Sequence, residues 1–203
     1  MENSYISNST LTSILIFLLL VTYMNSSIAM RPIEKNTKFI KSSCSTTIYP
    51  QLCYSSLSSY ASRIQTSPKL LANTALSVTL EAVRSTPSVL AKVSKTHHLK
   101  PREAAAISDC VEELTDAVEE LQNSMEEMGQ LRGKNFGLKM NDIQTWVSAA
   151  LTNEDTCMEG FAGKAMNGSV KATVRGRLVS VAQLTSNALA LINYYASLHT
   201  KST

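Results

Sequence analysis

A stripe of apolar residues with strict 4-3 spacing limits what this chain can fold into. It begins at Ile107 and keeps its spacing over three heptads. Such a repeat is typical of a helix that packs lengthwise against other helices. Pro101 is expected to begin this helix, since proline suits the first helical turn. The members of the stripe are Ile107, Val111, Leu114, Val118, Leu121, Met125 and Met128.

Helical periodicity also marks three further segments. The first of them begins at Ser67 and Pro68, an N-cap followed by a proline at the first helical position. Pro87 inside this segment is expected to kink or divide the helix. Glycine clusters around Gly133 and Gly163 separate the later segments. No segment has the period of a strand, and the predicted long helices are residues 67–93, 101–128, 142–161 and 169–198.

A small hairpin is predicted ahead of these four helices. Phe39–Thr47 and Pro50–Tyr60 have helical patterns, and Tyr49-Pro50 separates them because proline is disfavoured inside a helix. We therefore expect an all-α fold, an antiparallel up-down-up-down four-helix bundle preceded by a disulfide-tied helical hairpin. Residues 38–199 then form one domain, with the hairpin at 38–62 and the bundle at 67–199.

The apolar positions predict which faces are buried. The first long helix is expected to bury Leu71, Ala75, Val78, Ala82, Val89 and Val93. The third is expected to bury Ile143, Trp146, Val147, Ala150, Cys157 and Phe161. The last is expected to bury Val174, Leu178, Val181, Leu184, Ala188, Leu191 and Tyr195. The opposite side of the third helix carries polar residues that are either uncharged or acidic: Asn141, Gln144, Thr145, Ser148, Thr152, Asp155 and Glu159.

Residues 1–29 are predicted to be a secretory signal peptide. They contain the apolar block Ile14–Val21 and end in Ser27-Ile28-Ala29, small residues typical of a cleavage site. A membrane anchor is the alternative, but the block has about half of the roughly 20 residues that a spanning helix needs. Residues 30–37 are then expected to be a loose terminus of a secreted chain that keeps no membrane contact.

The four cysteines predict disulfides, since an even number is typical of them in a secreted chain and three connectivities are possible. Zinc is the alternative, but the chain has neither CxxC spacing nor a histidine beside a cysteine. Cys44 and Cys53 lie almost symmetrically about the hairpin turn and are expected to pair. The midpoint of Cys110 and Cys157 falls in the loop between the second and third long helices, so an antiparallel pair would bring them together.

Charge is unevenly distributed, although the net charge is only +3. Nine carboxylates and no Lys or Arg occur from Glu103 to Glu127, whereas five bases and no acid occur from Lys164 to Lys201. Such runs are usually solvated helix faces, here expected to attract each other across the bundle, and a partner-binding face is the rarer interpretation. The mild net charge does not indicate a nucleic-acid partner.

No catalytic or metal-binding constellation is recognisable in the sequence. His97 and His98 fall in a connector, His199 lies near the end of the last helix, and the acidic run offers no apolar pocket to raise one pKa. G-x-S-x-G, H-E-x-x-H and Gly-rich phosphate loops are missing. We therefore expect a protein that is not an enzyme and acts by binding, without cofactor or metal. Asn167 begins an N-x-S sequon and is a predicted glycosylation site.

Four motifs follow one another along the chain. They are Cys44-x8-Cys53 with Tyr49-Pro50 between, Ser108-Asp109-Cys110-Val111-Glu112, Trp146–Thr152 running into Asp155-Thr156-Cys157, and Ser186–Leu191. In this order and spacing they resemble the plant invertase/pectin methylesterase inhibitor family over about residues 39–197. The resemblance implies a hairpin on a four-helix bundle, with first-to-second and third-to-fourth disulfides, in a protein of the apoplast or cell wall.

The resemblance also implies a function. The chain is expected to bind a pectin methylesterase one-to-one and block its substrate cleft, as a monomer when free. Acid invertase is the alternative target, but invertase-directed members carry a Pro-Lys-Phe element before the last helix, and Gly163–Val174 contains neither Pro nor Phe. A helical carrier of small ligands is a more remote alternative, since the Leu, Val and Ile stripes fill the bundle.

The expected contact surface lies on the middle bundle helices, where pectin-directed members cover the enzyme's cleft with polar side chains. Short hydroxyl and amide groups can hydrogen-bond a polar cleft while losing little side-chain entropy. Carried over to this sequence, the partner-binding residues are Glu112, Asp116, Glu120, Asn141, Gln144, Ser148, Thr152 and Asp155.

Overall fold

A computed structural model describes residues 8–96, 99–131, 133–162 and 168–200. Helices account for most of these residues and no strand occurs among them, which confirms the all-α prediction. The connector histidines His97 and His98 and the predicted glycosylation site Asn167 lie outside the described residues. The helices are α1 (Asn8–Cys44), α2 (Pro50–Leu57), α3 (Ala61–Ile64), α4 (Pro68–Thr96), α5 (Pro101–Gly129), α6 (Phe136–Gly160) and α7 (Ser169–Thr200), with 3₁₀ turns at Ser58–Tyr60 and Gly133–Asn135.

The four long helices form the bundle in the ring order α4, α5, α6, α7. The closest pairs are α5 with α6 and α4 with α7, and the α4–α5 and α6–α7 contacts complete the ring. Each helix packs on the next one in the chain, which is the predicted up-down-up-down arrangement. The acidic helix α5 and the basic helix α7 lie diagonally opposite in this ring, and the attraction expected between them stays a prediction. The ion pairs among the described residues are Lys38–Glu34 and Lys139–Glu127.

Local sequence accounts for where the bundle helices begin. The Ser67 Oγ accepts a hydrogen bond from the Leu70 N–H at 3.3 Å, and Pro68 occupies the first position of α4. At the start of α5 the Lys100 N–H donates to the Glu103 carboxylate at 2.9 Å. This carboxylate also lies at the positive end of the helix dipole, where a negative charge is stabilising.

The buried stripe of α4 is rotated by about one position from the predicted one. Val78, Ala82 and Val89 are only half-buried, whereas Thr79 and Thr86 lie in the core. The Thr86 hydroxyl donates to the Ala82 carbonyl at 2.8 Å, so its burial leaves no hydrogen bond unmade. The buried residues of α4 are Leu71, Ala72, Thr74, Ala75, Leu76, Thr79, Val83, Thr86, Leu90 and Val93.

Pro87 does not divide α4, which continues through it. A proline removes one helical hydrogen bond and loosens the turn before it. Arg177 of α7 contacts that turn: it donates to the Ala82 carbonyl at 3.0 Å and also to the hydroxyls of Thr86 and Ser85. The guanidinium therefore joins α7 to α4 beside the proline.

The other bundle helices bury most of the predicted positions. In α6, Trp146 is half-buried rather than buried, and Glu154 occupies the core with its side chain 0% exposed. In α7, Thr185 is buried and Leu184 only half-buried. Polar residues thus enter the core at positions that hydrophobicity did not indicate, Glu154 and Thr185 among them.

The hairpin packs on its own bundle. A disulfide joins Cys44 to Cys53, whose Cα atoms are 5.5 Å apart. The Tyr49 N–H donates to the Asn187 Oδ1 at 3.1 Å, and the Asn187 Nδ2 donates to the Tyr49 carbonyl at 3.0 Å. Since α2 also contacts α4 and α7, and α3 contacts α4, the hairpin closes one end of the bundle.

Residues 30–37 are helical in the structure rather than loose. The helix α1 passes through them, and Glu34 and Lys38 form an i,i+4 ion pair at 2.7 Å that favours it. Further towards the N-terminus, the apolar side chains Ile14–Leu20 are each more than half exposed. Of the helices described, none combines the length and apolar character needed to cross a membrane. The signal-peptide boundary after Ala29 stays a prediction.

Candidate functional site

A row of exposed polar side chains runs along α6. It comprises Asn141, Ser148, Thr152 and Asp155. The Ser148 hydroxyl donates to the Gln144 carbonyl at 2.7 Å, and the Thr152 hydroxyl donates to the Ser148 carbonyl at 3.0 Å. Because these hydroxyl hydrogens are used within the helix, the oxygen lone pairs are what remain for a partner. The row therefore presents hydrogen-bond acceptors at fixed positions on a rigid helix.

A groove of about 680 Å³ lies between α6 and α7. Gln144 leans into it and donates from Nε2 to the Asn193 Oδ1 at 2.7 Å. Asn141 lines the same groove, which ends at the rings of Phe136 and His199, whose centroids are 4.1 Å apart and whose planes are inclined by 39°. This side of α6 thus combines amide groups with aromatic surface.

A second groove, of about 650 Å³, lies between α5 and α6 and is acidic. The disulfide Cys110–Cys157 lies along it and joins the two helices with a Cα–Cα distance of 4.5 Å. Arg102 lies among its lining residues, but carboxylates predominate and give the groove a negative potential when ionised. The other polar lining residues are Asp109, Glu112, Glu113, Thr156 and Glu159.

Glu120 lies further along α5 and is already engaged within the protein. The Asn153 Nδ2 of α6 donates to its Oε2 at 3.1 Å. Partial burial raises the pKa of the Glu120 carboxyl, and the neighbouring carboxylates of Asp116, Glu119 and Glu113 raise it further. Asp116 is exposed one turn away. The two acids therefore differ: Asp116 is free to meet a partner, whereas Glu120 also holds α5 to α6.

The eight sequence-predicted partner-binding residues do not lie in one groove. Glu112 lines the α5–α6 groove, while Asn141 and Gln144 line the α6–α7 groove. Ser148 and Thr152 lie on the crest of α6 between the two. The candidate surface is therefore a ridge along α6, with the α6–α7 groove beside its N-terminal part and the α5–α6 groove beside its C-terminal part, rather than the outer face of a single helix pair.

Sequence reasoning missed two contributors to this surface. Asn193 of α7 reaches the ridge through Gln144, and Thr156 lines the acidic groove. Thr156 stood within a motif but was given no role. Nothing in the sequence indicated that Asn193 contributes to this surface, since its position beside α6 depends on how α6 and α7 pack.

The chemistry available here is that of a binding surface. All four cysteines are in disulfides, so none offers a thiolate. Among the residues that the structure describes, no three His, Cys, Asp or Glu side chains cluster to hold a metal ion. A disulfide-tied helical bundle that exposes polar grooves on either side of a rigid ridge belongs to the class of proteins that act by binding other macromolecules.

Comparison with known proteins identifies the family within this class. The sequence profile of the family "Plant invertase/pectin methylesterase inhibitor" matches residues 38–191. The chain belongs to that family, which is one of inhibitors, and it is not an enzyme.

Individual relatives agree with this membership. The chain is 46% identical over 165 residues to the 21 kDa protein of Daucus carota, covering 80% of this chain and 86% of that one. It is 44% identical over 191 residues to Pectinesterase inhibitor 9 of Arabidopsis thaliana, covering 91% and 94%. The crystal structure of mutant form A of a pectin methylesterase inhibitor from Arabidopsis has the same fold, with a TM-score of 0.61 at 23% identity, covering 74% of this chain and 92% of that one.

Proposed function

We propose that the chain is a secreted inhibitor of a cell-wall pectin methylesterase, which it binds one-to-one so that the α6 ridge covers the substrate cleft. The observation that carries this proposal is the exposed acceptor row of α6 on a helix tied to α5 by a disulfide. A cleft that holds a sugar polymer is lined by polar groups. Acceptors that are already ordered can pair with such groups at little cost in entropy.

Pectin methylesterase is the favoured target because the loop before α7 lacks the Pro-Lys-Phe element of invertase-directed members. Gly163–Val174 contains no Pro and no Phe. Relatives at 43 and 44% identity are pectinesterase inhibitors by name. Acid invertase is the alternative target, and the assay below separates the two.

Secretion to the apoplast is part of the same proposal. Removal of residues 1–29 as a signal peptide would leave the described core in place, because that core begins at Ile40 and the Ile14–Leu20 side chains are each more than half exposed. We further propose that Asn167, which begins an N-x-S sequon in the sequence, is glycosylated, and that the free inhibitor is a monomer.

The proposed function is tested by titrating the protein, purified from the medium of a secretory host, into a plant pectin methylesterase and into a cell-wall invertase. We expect pectin methylesterase activity to fall linearly to a plateau at one inhibitor per enzyme, with no effect on invertase. Loss of invertase activity alone would transfer the proposal to the alternative target. No loss in either assay would overturn it.

The contact surface is tested by placing a bulky charge on the ridge. Thr152→Arg should weaken inhibition at least tenfold, because the new side chain occupies the space of the covered cleft. Glu81→Arg on α4 is the matched control, since that residue is exposed on another face of the bundle. Circular dichroism and thermal unfolding establish that both variants are folded. Equal inhibition by the two variants would exclude the α6 ridge as the contact surface.

A further inference from the structure

A single carboxylic acid is fully buried between α6 and α7. The Glu154 side chain is 0% exposed, and its Oε1 lies 2.7 Å from the Thr185 Oγ1. Its Oε2 is buried with no hydrogen-bond partner. No ion pair among the described residues includes it. Neither the acceptor row nor the grooves use this group, and burying an unpaired carboxylate costs several kcal/mol.

The hydrogen atoms around Glu154 can be counted. Thr185 has one hydroxyl hydrogen, but its Oγ1 lies close both to Glu154 Oε1 and to the Val181 carbonyl, the latter at 3.2 Å. With Glu154 ionised, that hydrogen serves one of the two contacts and leaves the other without a donor. With a proton on Oε1, the acid donates to Thr185, and Thr185 donates to Val181. Only the neutral acid satisfies both contacts.

The surrounding charges favour the same state. The charged groups that act on Glu154 are Asp155 of its own helix and Glu120 of α5, and both are carboxylates. From α7 it meets the neutral Thr185 hydroxyl. The pKa of Glu154 is raised to about 8, chiefly by burial; the Thr185 hydrogen bond opposes this rise, and the carboxylates of Asp155 and Glu120 add to it.

We propose that the Glu154–Thr185 pair is a proton-dependent latch between α6 and α7: the helices pack tightly while Glu154 carries its proton and are destabilised when it ionises. The latch is a property of the bundle itself. It does not depend on which enzyme, if any, the α6 ridge binds.

The sign of the pH effect follows from the two states of the acid. Below its ordinary pKa of 4.5, Glu154 is neutral in both the folded and the unfolded chain, so the latch is at full strength. Between pH 4.5 and about 8 the unfolded chain ionises while the folded chain keeps the proton. The folding equilibrium constant therefore falls up to about tenfold per pH unit in this window and changes no further above it.

The test compares chemical unfolding of the wild type and of Glu154→Gln at half-unit steps from pH 4.5 to 8.5. We expect Glu154→Gln to lack the loss of stability that ionisation of Glu154 causes. The ratio of its folding equilibrium constant to that of the wild type should therefore be at least 100-fold higher at pH 8 than at pH 4.5. Glu159→Gln is the matched control, an exposed acid on the same helix, and should follow the wild type. If the stabilities of the wild type and of Glu154→Gln change in parallel with pH, the proposed latch is wrong.

A second measurement uses the wild-type protein, so the proposal does not depend on a variant folding. ¹³C NMR of the glutamate side-chain carboxyl carbons should contain one resonance that stays in its protonated position above pH 6, where exposed carboxyls have already ionised. If every glutamate carboxyl ionises below pH 5.5, Glu154 is charged in the folded state and the latch does not exist.

Discussion

At the scale of single residues, Asn187 holds two parts of the molecule together. It is 3% exposed, and its amide bonds both the N–H and the carbonyl of Tyr49 at the hairpin turn. A side-chain amide suits this task because it offers one donor and one acceptor side by side. The turn before Pro50 leaves the Tyr49 backbone groups outside any helix, and Asn187 supplies the partners that they lack.

Replacing this amide should release the hairpin. We expect Asn187→Ala to lower the free energy of unfolding by about 1–3 kcal/mol, because two hydrogen bonds are lost and the Tyr49 backbone is left unpaired. Hydrogen exchange should rise first in amides 45–60. Ser186→Ala at the neighbouring, half-buried position is the control and should change stability by less than about 0.5 kcal/mol. Equal effects of the two variants would contradict the role assigned to Asn187.

Two buried polar residues, Glu154 and Thr185, were not predicted from the sequence to lie in the core. Glu154 lies at the regular 4-3 positions of the α6 stripe, after Val147 and Ala150, so spacing indicated burial while charge indicated exposure. Spacing is the better guide here, because a carboxylic acid can enter a core as its neutral form. Thr185 is buried for a related reason, since its hydroxyl is hydrogen-bonded within its own helix and to Glu154.

At the scale of helices, the buried stripes of α5 and α4 were each predicted only in part. In α5, Val111, Val118 and Met125 are half-buried, and the small residues Ala117 and Ser124 lie in the core instead. The α4 stripe contains Ala and Thr at many positions, and helix α4 meets α5, α7 and the hairpin on three sides. A helix enclosed on three sides buries more than one stripe, and side-chain size then no longer identifies a single inward direction.

The two disulfides should differ in how much they stabilise these elements. Cys110–Cys157 closes a loop with a sequence separation of 47, and Cys44–Cys53 one with a separation of 9. On the chain-entropy model, replacing the first pair by alanines should lower the free energy of unfolding by about 4 kcal/mol and replacing the second by about 3 kcal/mol. Urea unfolding of the two double variants measures both. A larger loss for Cys44–Cys53 would show that loop entropy does not set the order.

At the scale of the whole molecule, the fold followed from the sequence but the shape of the surface did not. Helix periodicity, proline and glycine positions and the cysteine midpoints were enough to predict the bundle and its two disulfides. The ridge and its two grooves depend on how α6 sits between α5 and α7, which periodicity alone does not determine. Gln144 illustrates this, because it was expected only to contact a partner, whereas its side chain also bonds Asn193 of α7.

The charge of this surface leads to a pH prediction that rests on the proposed function. If the acids Glu112, Asp116 and Glu120 meet acidic groups of the target, affinity should fall as pH rises from 5 to 7 and both sides ionise. Glu120 should keep its proton to a higher pH than an exposed acid, because partial burial and neighbouring carboxylates raise its pKa. Calorimetric titration at several pH values measures the trend.

Two variants separate this interface effect from the Glu154 latch. Glu112→Gln combined with Asp116→Asn, both at exposed positions, should weaken the pH dependence of binding and leave the pH dependence of unfolding largely as it is. Glu154→Gln should do the reverse, because its carboxyl is buried away from any partner. An affinity that stays flat or increases with pH in the wild type would mean that these acids face neutral or basic groups on the target. The α6 ridge would then remain the contact surface, with its acidic side paired to donors rather than opposed by carboxylates.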